Sequence, residues 1–287
     1  MNLVLAAARG IRSAIAPVAN VRALREGLAS VWHHRGLCLE LTRRDLGSQF
    51  AGQAIGRLWI VAHPLIMFGV YILLFTVVLR VNIEASLDMP RDYSTYILCG
   101  LAPWLATQQA LARAPTALAS QANLVKQVVF PIEVLPVGVV TAAGVPLVTG
   151  LVVILARLLL RGDVPATLAL LPLAIALHGA FLLGIAYALA IITPFFRDIK
   201  DIVAAFTLIG VYLIPAFYLP QWVPEALRPW LYLNPFSYFI WIYQDCLYFG
   251  TIRHPEAWGV AALLALLGLA LGMRVFRKVK PYVANVL

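Results

Sequence analysis

The chain has 287 residues, of which 62% are hydrophobic and only 12% charged, whereas a typical soluble domain carries about 25% charged residues. With a mean hydropathy of +0.87, this composition excludes an ordinary soluble enzyme and leaves an all-α integral membrane protein. The length accommodates one bundle of about six spans of about 20 residues each and leaves little room for a second soluble domain.

Taken in chain order, the first signal precedes any membrane-length stretch. Val21, Leu24, Leu28, Val31 and Trp32 recur at helical spacing, with Arg22, Arg25, Glu26, His33 and His34 on other faces, which predicts an amphipathic helix lying in the membrane interface. No cleavable signal peptide is expected, because the apolar run at residues 3–8 is too short for one and no basic residue precedes it. Residues 39–57 mix Arg43, Arg44, Asp45, Gln49, Gln53 and Arg57 with small and apolar residues. Two readings stand: a lipid-headgroup anchor, or an intake where Arg43, Arg44 and Arg57 meet an anionic substrate, since guanidinium matches phosphate geometry.

Five spans follow from apolar content, at residues 58–79, 134–156, 167–193, 202–219 and 258–275, none of which contains Asp or Glu. A sixth, at residues 96–118, carries Gln108, Gln109 and Arg113; Arg113 lies near one end, from which it is expected to snorkel to the interface. Tyr71 on the first span and Trp104, Gln108 and Gln109 on the second are the groups best able to line a polar conduit. Alternatively the glutamines only hydrogen-bond between helices.

Between the second and third spans lies the window 121–136 (QANLVKQVVFPIEVLP). Asn123 suits an N-cap, Leu124, Val125, Val128 and Val129 share a face, and Lys126 and Gln127 point elsewhere. Pro131 stops the helix, Glu133 follows, and Pro136 opens the next span. A short surface helix joining two spans has the geometry of a lever that an external subunit pushes, although an ordinary interfacial loop has the same composition. Further on, residues 219–250 are rich in aromatics and proline. They form either an interfacial aromatic belt or two short re-entrant helices, tolerated where protein or a cavity surrounds them. Trp230, Tyr232, Asn234 and Phe236 are the candidates for an external gate.

Charge placement orients the bundle. Alternation of spans puts residues 1–57, 113–133, 197–201 and 274–287 on one side, with 16 Lys and Arg against 6 Asp and Glu, and leaves 6 against 7 on the other. The first side is expected to be cytoplasmic, with both termini. The net charge of +9 is thereby a topology signal, and nucleic acid is not expected as a partner. Cys38, Cys99 and Cys246 are odd in number and far apart, so neither a disulfide framework nor a zinc site is expected. No repeat suggests an inverted-repeat transporter. His33, His34, His63, His178 and His254 form no metal spacing with glutamates, which argues against a membrane-embedded transferase. Nor is there a P-loop. The lysines Lys126, Lys200, Lys278 and Lys280 are followed by Gln127, Asp201, Val279 and Pro281, never by the Ser or Thr that a Walker-type turn needs.

The residue order in the window resembles the coupling helix of ABC-transporter permeases that export polysaccharides and other polyprenol-linked glycans. Asn123 to Lys126 and Phe130 to Pro136 are similar to that family's Asn-Leu-aliphatic-Lys and Phe-Pro-x-Glu-aliphatic-Leu-Pro. LTRRD at 41–45, GRLW at 56–59 with Pro64, FRDI at 196–199, LRPWLYLNP at 227–235 and FRKVKPYVANVL at 276–287 resemble further family segments in the same order. His63 stands where the family usually has Asn, and Gln244 where an Arg often precedes Asp245. The resemblance implies six spans in a permease domain at 58–275, between a cytoplasmic N-terminal segment (1–57) and a C-terminal tail (276–287), in a bacterial inner membrane. It implies a homodimer bound to two separate nucleotide-binding subunits that hold ATP and Mg. The coupling residues would be Asn123, Leu124, Lys126, Phe130, Pro131 and Glu133, and the cargo a polyprenol-pyrophosphate-linked glycan such as O-antigen or capsule. An exporter of small hydrophobic molecules with the same architecture is the alternative.

Overall fold

The computed structural model describes residues 33–49, 56–80, 89–125, 130–283 and 286. Among them every regular element is helical. The expected interfacial helix at residues 21–32 and the window residues Lys126 to Val129 lie outside the described residues.

Helix α1 is Arg35–Gln49. A turn at Gly56–Leu58 leads into α2, Trp59–Ile72, which runs on as a π-helical stretch, Leu73–Val78. Then come α3 (Tyr93–Arg113) and α4 (Ala122–Val125). The long helices α5 (Val134–Arg161) and α6 (Leu171–Ile192) follow, the latter after a 3-10 turn at Ala166–Leu170. The remaining helices are α7 (Ile199–Gly210), α8 (Arg228–Leu233), α9 (Pro235–Gln244) and α10 (Pro255–Val283).

Among the described residues four segments are long and apolar enough to cross a membrane: Trp59–Val78, Val134–Arg161, Ala166–Ile192 and Pro255–Val283. Helix α3 has 21 residues but is diluted by Thr95, Thr107, Gln108 and Gln109. The fifth predicted span, 202–219, is not one helix. Helix α7 has 12 residues, about 18 Å at 1.5 Å per residue, and a 3-10 turn, Val211–Leu213, leads to Ile214 in the extended region at φ −118° and ψ 153°. Pro215 is the reason: it lacks an N–H and disfavours helical backbone in the residue before it. Other prolines, Pro64, Pro103 and Pro146, stay inside α2, α3 and α5, as membrane helices permit when neighbours satisfy the freed carbonyl. Near Pro103, the Thr107 hydroxyl donates to the Pro103 carbonyl at 3.0 Å, the i−4 back-bond of a helical threonine.

Beyond the last predicted span the chain stays helical. Helix α10 does not stop near 275 but continues through Lys280 to Val283, so most of the predicted tail is an extension of the last long helix. At its other end α5 closes on Gly162, whose φ of 68° is the left-handed C-cap that glycine adopts without a Cβ penalty.

Two cores organise the bundle. The larger gathers α3, α5, α6, α9 and the Asp245–Phe249 turn around Trp104, Trp241, Tyr96, Tyr243 and Tyr248. The smaller gathers Val125, Ile132, Leu135, Tyr187, Met273 and Phe276 at the end where Arg113, Glu133 and Lys280 lie. That end is called the basic end here, because the Lys and Arg excess falls on it. Helices α6 and α10 touch backbone to backbone: a Cβ at Gly272 would stand 2.0 Å from the Gly184 carbonyl oxygen, and one at Gly184 would stand 2.3 Å from the Gly268 carbonyl carbon. Gly268 and Gly272 form the small-xxx-small spacing that lets membrane helices touch backbone to backbone.

Candidate functional site

At the basic end, the window is anchored on its inner side. Val125 and Ile132 are buried in the smaller core while Asn123 is exposed. Asn123 is not the N-cap that the sequence predicts. Helix α4 begins at Ala122 and continues from a 3-10 turn at Ala119–Gln121, so preceding turns already satisfy its first amides. Leu124, Phe130 and Pro131 are half-buried. Pro131 and Ile132 accept from the amides of Val134 and Leu135 at 3.0 and 3.2 Å, turning the chain into α5.

Glu133 points inward. It is 7% exposed, its carboxylate accepts from Lys280 Nζ at 2.7 Å, and its carbonyl accepts from the Tyr187 hydroxyl at 3.0 Å. One residue thus ties the window to α10 and to α6. A carboxylate at this depth requires a partner, and the C-terminal extension of α10 supplies one.

Helix α1 lies across the basic end of α5, with the Thr42 hydroxyl bonded back to the Cys38 carbonyl at 2.8 Å. Of the intake arginines, Arg43 is exposed, Arg44 donates to Gln121 Oε1 at 2.8 Å, and Arg57 lies in the turn before α2. Arg44 and Gln121 therefore join α1 to the start of the window.

The conduit candidates separate. Trp104 is fully buried, its ring 5.9 Å from Phe236 and 6.4 Å from Phe206, and a Cβ at Gly210 would stand 2.4 Å from it. It holds α3 against α7 and α9. Gln108 and Gln109 are half-buried, and Tyr71 stacks on Phe217 at 5.0 Å. The gate candidates divide likewise. Trp230 and Asn234 line an apolar cavity of about 550 Å³ with Phe206, Tyr212, Tyr218 and Leu213, and Trp230 is 67% exposed. Asn234 also caps α9 by accepting from the Phe236 amide at 3.0 Å and latches it to α7 by donating to the Leu213 carbonyl at 2.9 Å. Tyr232 is exposed beside Trp241, whereas Phe236 packs inward against Phe181.

Several polar groups escaped the sequence reading. Asp245 is fully buried and accepts from His254 Nδ1 at 2.9 Å, the His254 and Arg253 amides at 3.2 and 3.3 Å, and Trp258 Nε1 at 3.2 Å. It locks the end of α9 to the start of α10. The detectable signal was an acid within the apolar stretch YQDCLYF, since an ionisable group in such surroundings needs a partner. His178 on α6 bonds Thr107 at 2.9 Å and approaches the Tyr243 hydroxyl at 3.4 Å. All three cysteines are free and buried, and no cluster of metal ligands occurs among the described residues.

At the end opposite the basic one, Asp92 caps α3 and bonds Ser94, Thr95, Arg157 at 2.7 Å and Arg161. Arg91 pairs with Asp163 at 2.8 Å and donates to the Tyr248 carbonyl. Partial burial pushes the Asp92 carboxyl up, but the bonds from Ser94 and Thr95 and the two guanidinium charges outweigh it and hold the group below its ordinary value. A depressed native value stabilises the fold above the unfolded pKa of about 3.9 and ceases to do so as pH falls through the native value. Melting of the purified protein between pH 6 and pH 2.5 should show this loss below about pH 4, and Asp92→Asn should remove that part of the acid dependence.

The described residues form a multi-pass helical membrane protein in which Glu133, at the end of the window, is tied to two of the long helices. Residues 36–248 match the ABC-2 type transporter family, and the chain belongs to that family. It is 30% identical over 249 residues, 86% of this chain and 91% of the relative, to the O-antigen export system permease protein RfbA of Myxococcus xanthus. Two proteins of the same designation from Klebsiella pneumoniae are each 25% identical over 253 residues, 88% of this chain. The family is one of transport subunits, and membership implies an ATP-binding partner subunit.

Proposed function

We propose that this chain is the permease subunit of an ATP-driven exporter that moves a lipid-linked polysaccharide, of the O-antigen or capsule kind, across the bacterial inner membrane. The observation that carries this reading is the extent of the similarity, which covers 86% of this chain and 91% of an O-antigen permease and supports a common architecture. Six spans complete the bundle, with α3 and the segment of α7 through Pro215 added to the four long helices, and both termini cytoplasmic as the charge bias suggests. Two copies form the pathway, each with a nucleotide-binding subunit that holds ATP and Mg. Those subunits press on the window, where Asn123 is exposed, and Glu133 passes the movement to α6 and α10. Trp230 and the aromatic cavity around it serve the glycan at the opposite end, and Gln108 and Gln109 the path between.

The test is genetic and biochemical. Deleting the chain should leave finished polysaccharide in the cytoplasm without altering sensitivity to small hydrophobic toxins. Co-purification with its ATP-binding subunit should give ATP hydrolysis that the chain alone lacks. Toxin sensitivity with normal polysaccharide export would instead indicate an exporter of small hydrophobic molecules.

A further inference from the structure

The second-span arginine lies at the end of α3, beside α1. Arg113 turns into a cavity of about 330 Å³ between α1, the end of α3 and the start of α5, lined also by Asp45, Thr116, Ser120, Gln121 and Gly138. Its Nη2 lies 3.5 Å from Asp45 Oδ2. Its Nη1 is buried and has no hydrogen-bond partner among the described residues. A guanidinium carries five donors and stays charged, and an unsatisfied buried donor on such a group is costly unless a ligand or water completes it. Arg44, held on Gln121 at 2.8 Å, brings a second positive charge to the rim. With Asp45 counted against Arg113 and Arg44, the cavity keeps one positive charge in excess. The Gln121 amide nitrogen adds a neutral donor, while the Thr116 and Ser120 hydroxyls donate to the Arg113 and Ala117 carbonyls at 3.2 and 3.3 Å, and Leu41, Leu135 and Val139 give it an apolar wall.

We infer that this cavity binds the phosphate of a lipid headgroup, with Arg113 Nη1 as its principal donor and the acyl or prenyl chain leaving along the apolar wall. A basic pocket between helix ends is where anionic headgroups bind membrane proteins, and guanidinium is the side chain best matched to phosphate oxygens. The site does not depend on what the protein exports. An anionic phospholipid and a polyprenyl phosphate share the chemistry it reads.

Native mass spectrometry of the full chain in detergent, titrated separately with phosphatidylglycerol, undecaprenyl phosphate and phosphate-free diacylglycerol, tests it. Arg113→Gln should weaken binding of at least one phosphate lipid about tenfold, the loss expected for a charge-assisted bond, and leave diacylglycerol unchanged. Lys278→Gln, an exposed charge on the same end, should change nothing. A loss confined to phosphatidylglycerol makes this a structural lipid site; one confined to undecaprenyl phosphate makes it a carrier site. Gly138→Leu keeps every charge and fills the cavity, since a Cβ there meets only Thr42 Oγ1 at 3.7 Å, and should reproduce the loss if Arg113→Gln fails to fold. Unchanged binding of both phosphate lipids in the folded variants overturns the proposal.

Discussion

Replacing Gly272 by alanine should open the α6–α10 contact and destabilise the protein by at least about 3 kcal/mol, the upper part of the range for overpacking. The added Cβ would stand 2.0 Å from the Gly184 carbonyl oxygen and 2.7 Å from its carbon. Those are backbone atoms, so no rotamer change relieves the clash and one helix must move. Gly184→Ala should act alike, because its Cβ would meet Gly268 backbone at 2.3 and 2.4 Å. Gly268→Ala is the control. A Cβ there meets Phe181 at 3.5 Å, an ordinary contact, and alanine favours helix by up to about 1 kcal/mol over glycine. Melting temperature and monodispersity in detergent read the difference. Equal behaviour of the alanine variants at 268 and 272 would show that this close approach does not hold the helices together.

Breaking the Glu133–Lys280 pair should lower transport about tenfold, within the usual range of a coupling energy, while ATP hydrolysis by the assembled complex continues. The two halves of the pair are not equivalent. Glu133 has a side chain 10% exposed and Lys280 one 38% exposed. Lys280→Met leaves a buried carboxylate without its cation, and should destabilise by about 3 kcal/mol, the lower figure for a broken buried pair. Glu133→Gln leaves an ammonium that water reaches, and should cost less. If the pair transmits movement, Glu133→Lys with Lys280→Glu should recover transport lost in either single change. Recovery of stability without transport would make the pair a fastening and move transmission to the Tyr187 bond at 3.0 Å.

The fold was legible where bulk composition decides and obscure where direction decides. Apolar content located α2, α5, α6 and α10 to within a few residues at their starts, because exclusion from water depends on amount and length. It misjudged 202–219, where the same apolar content concealed a break that Pro215 imposes at Ile214. The predicted N-cap at Asn123 failed for a related reason: preceding turns at Ala114–Thr116 and Ala119–Gln121 carry the chain into α4 without needing a cap.

What the sequence by itself determined is the class of protein, the placement of the window at the basic end, and the lack of an ATP-binding turn. Each follows from counts and spacings that no packing alters. Only the tertiary structure decided which residues meet: Glu133 with Lys280, Asp92 with Arg157 and Arg161, Asp245 with His254 and Trp258, and the backbones of Gly184 and Gly272. In a soluble helix the apolar stripe reveals the buried face, but lipid is as apolar as a protein interior, and faces turned to either look alike in sequence. Ile154 is fully buried and Leu160, on the same helix, is 88% exposed, yet both are large aliphatic residues. Helix rotation and register, which place polar partners opposite one another, are therefore settled by packing between helices and have no local signature.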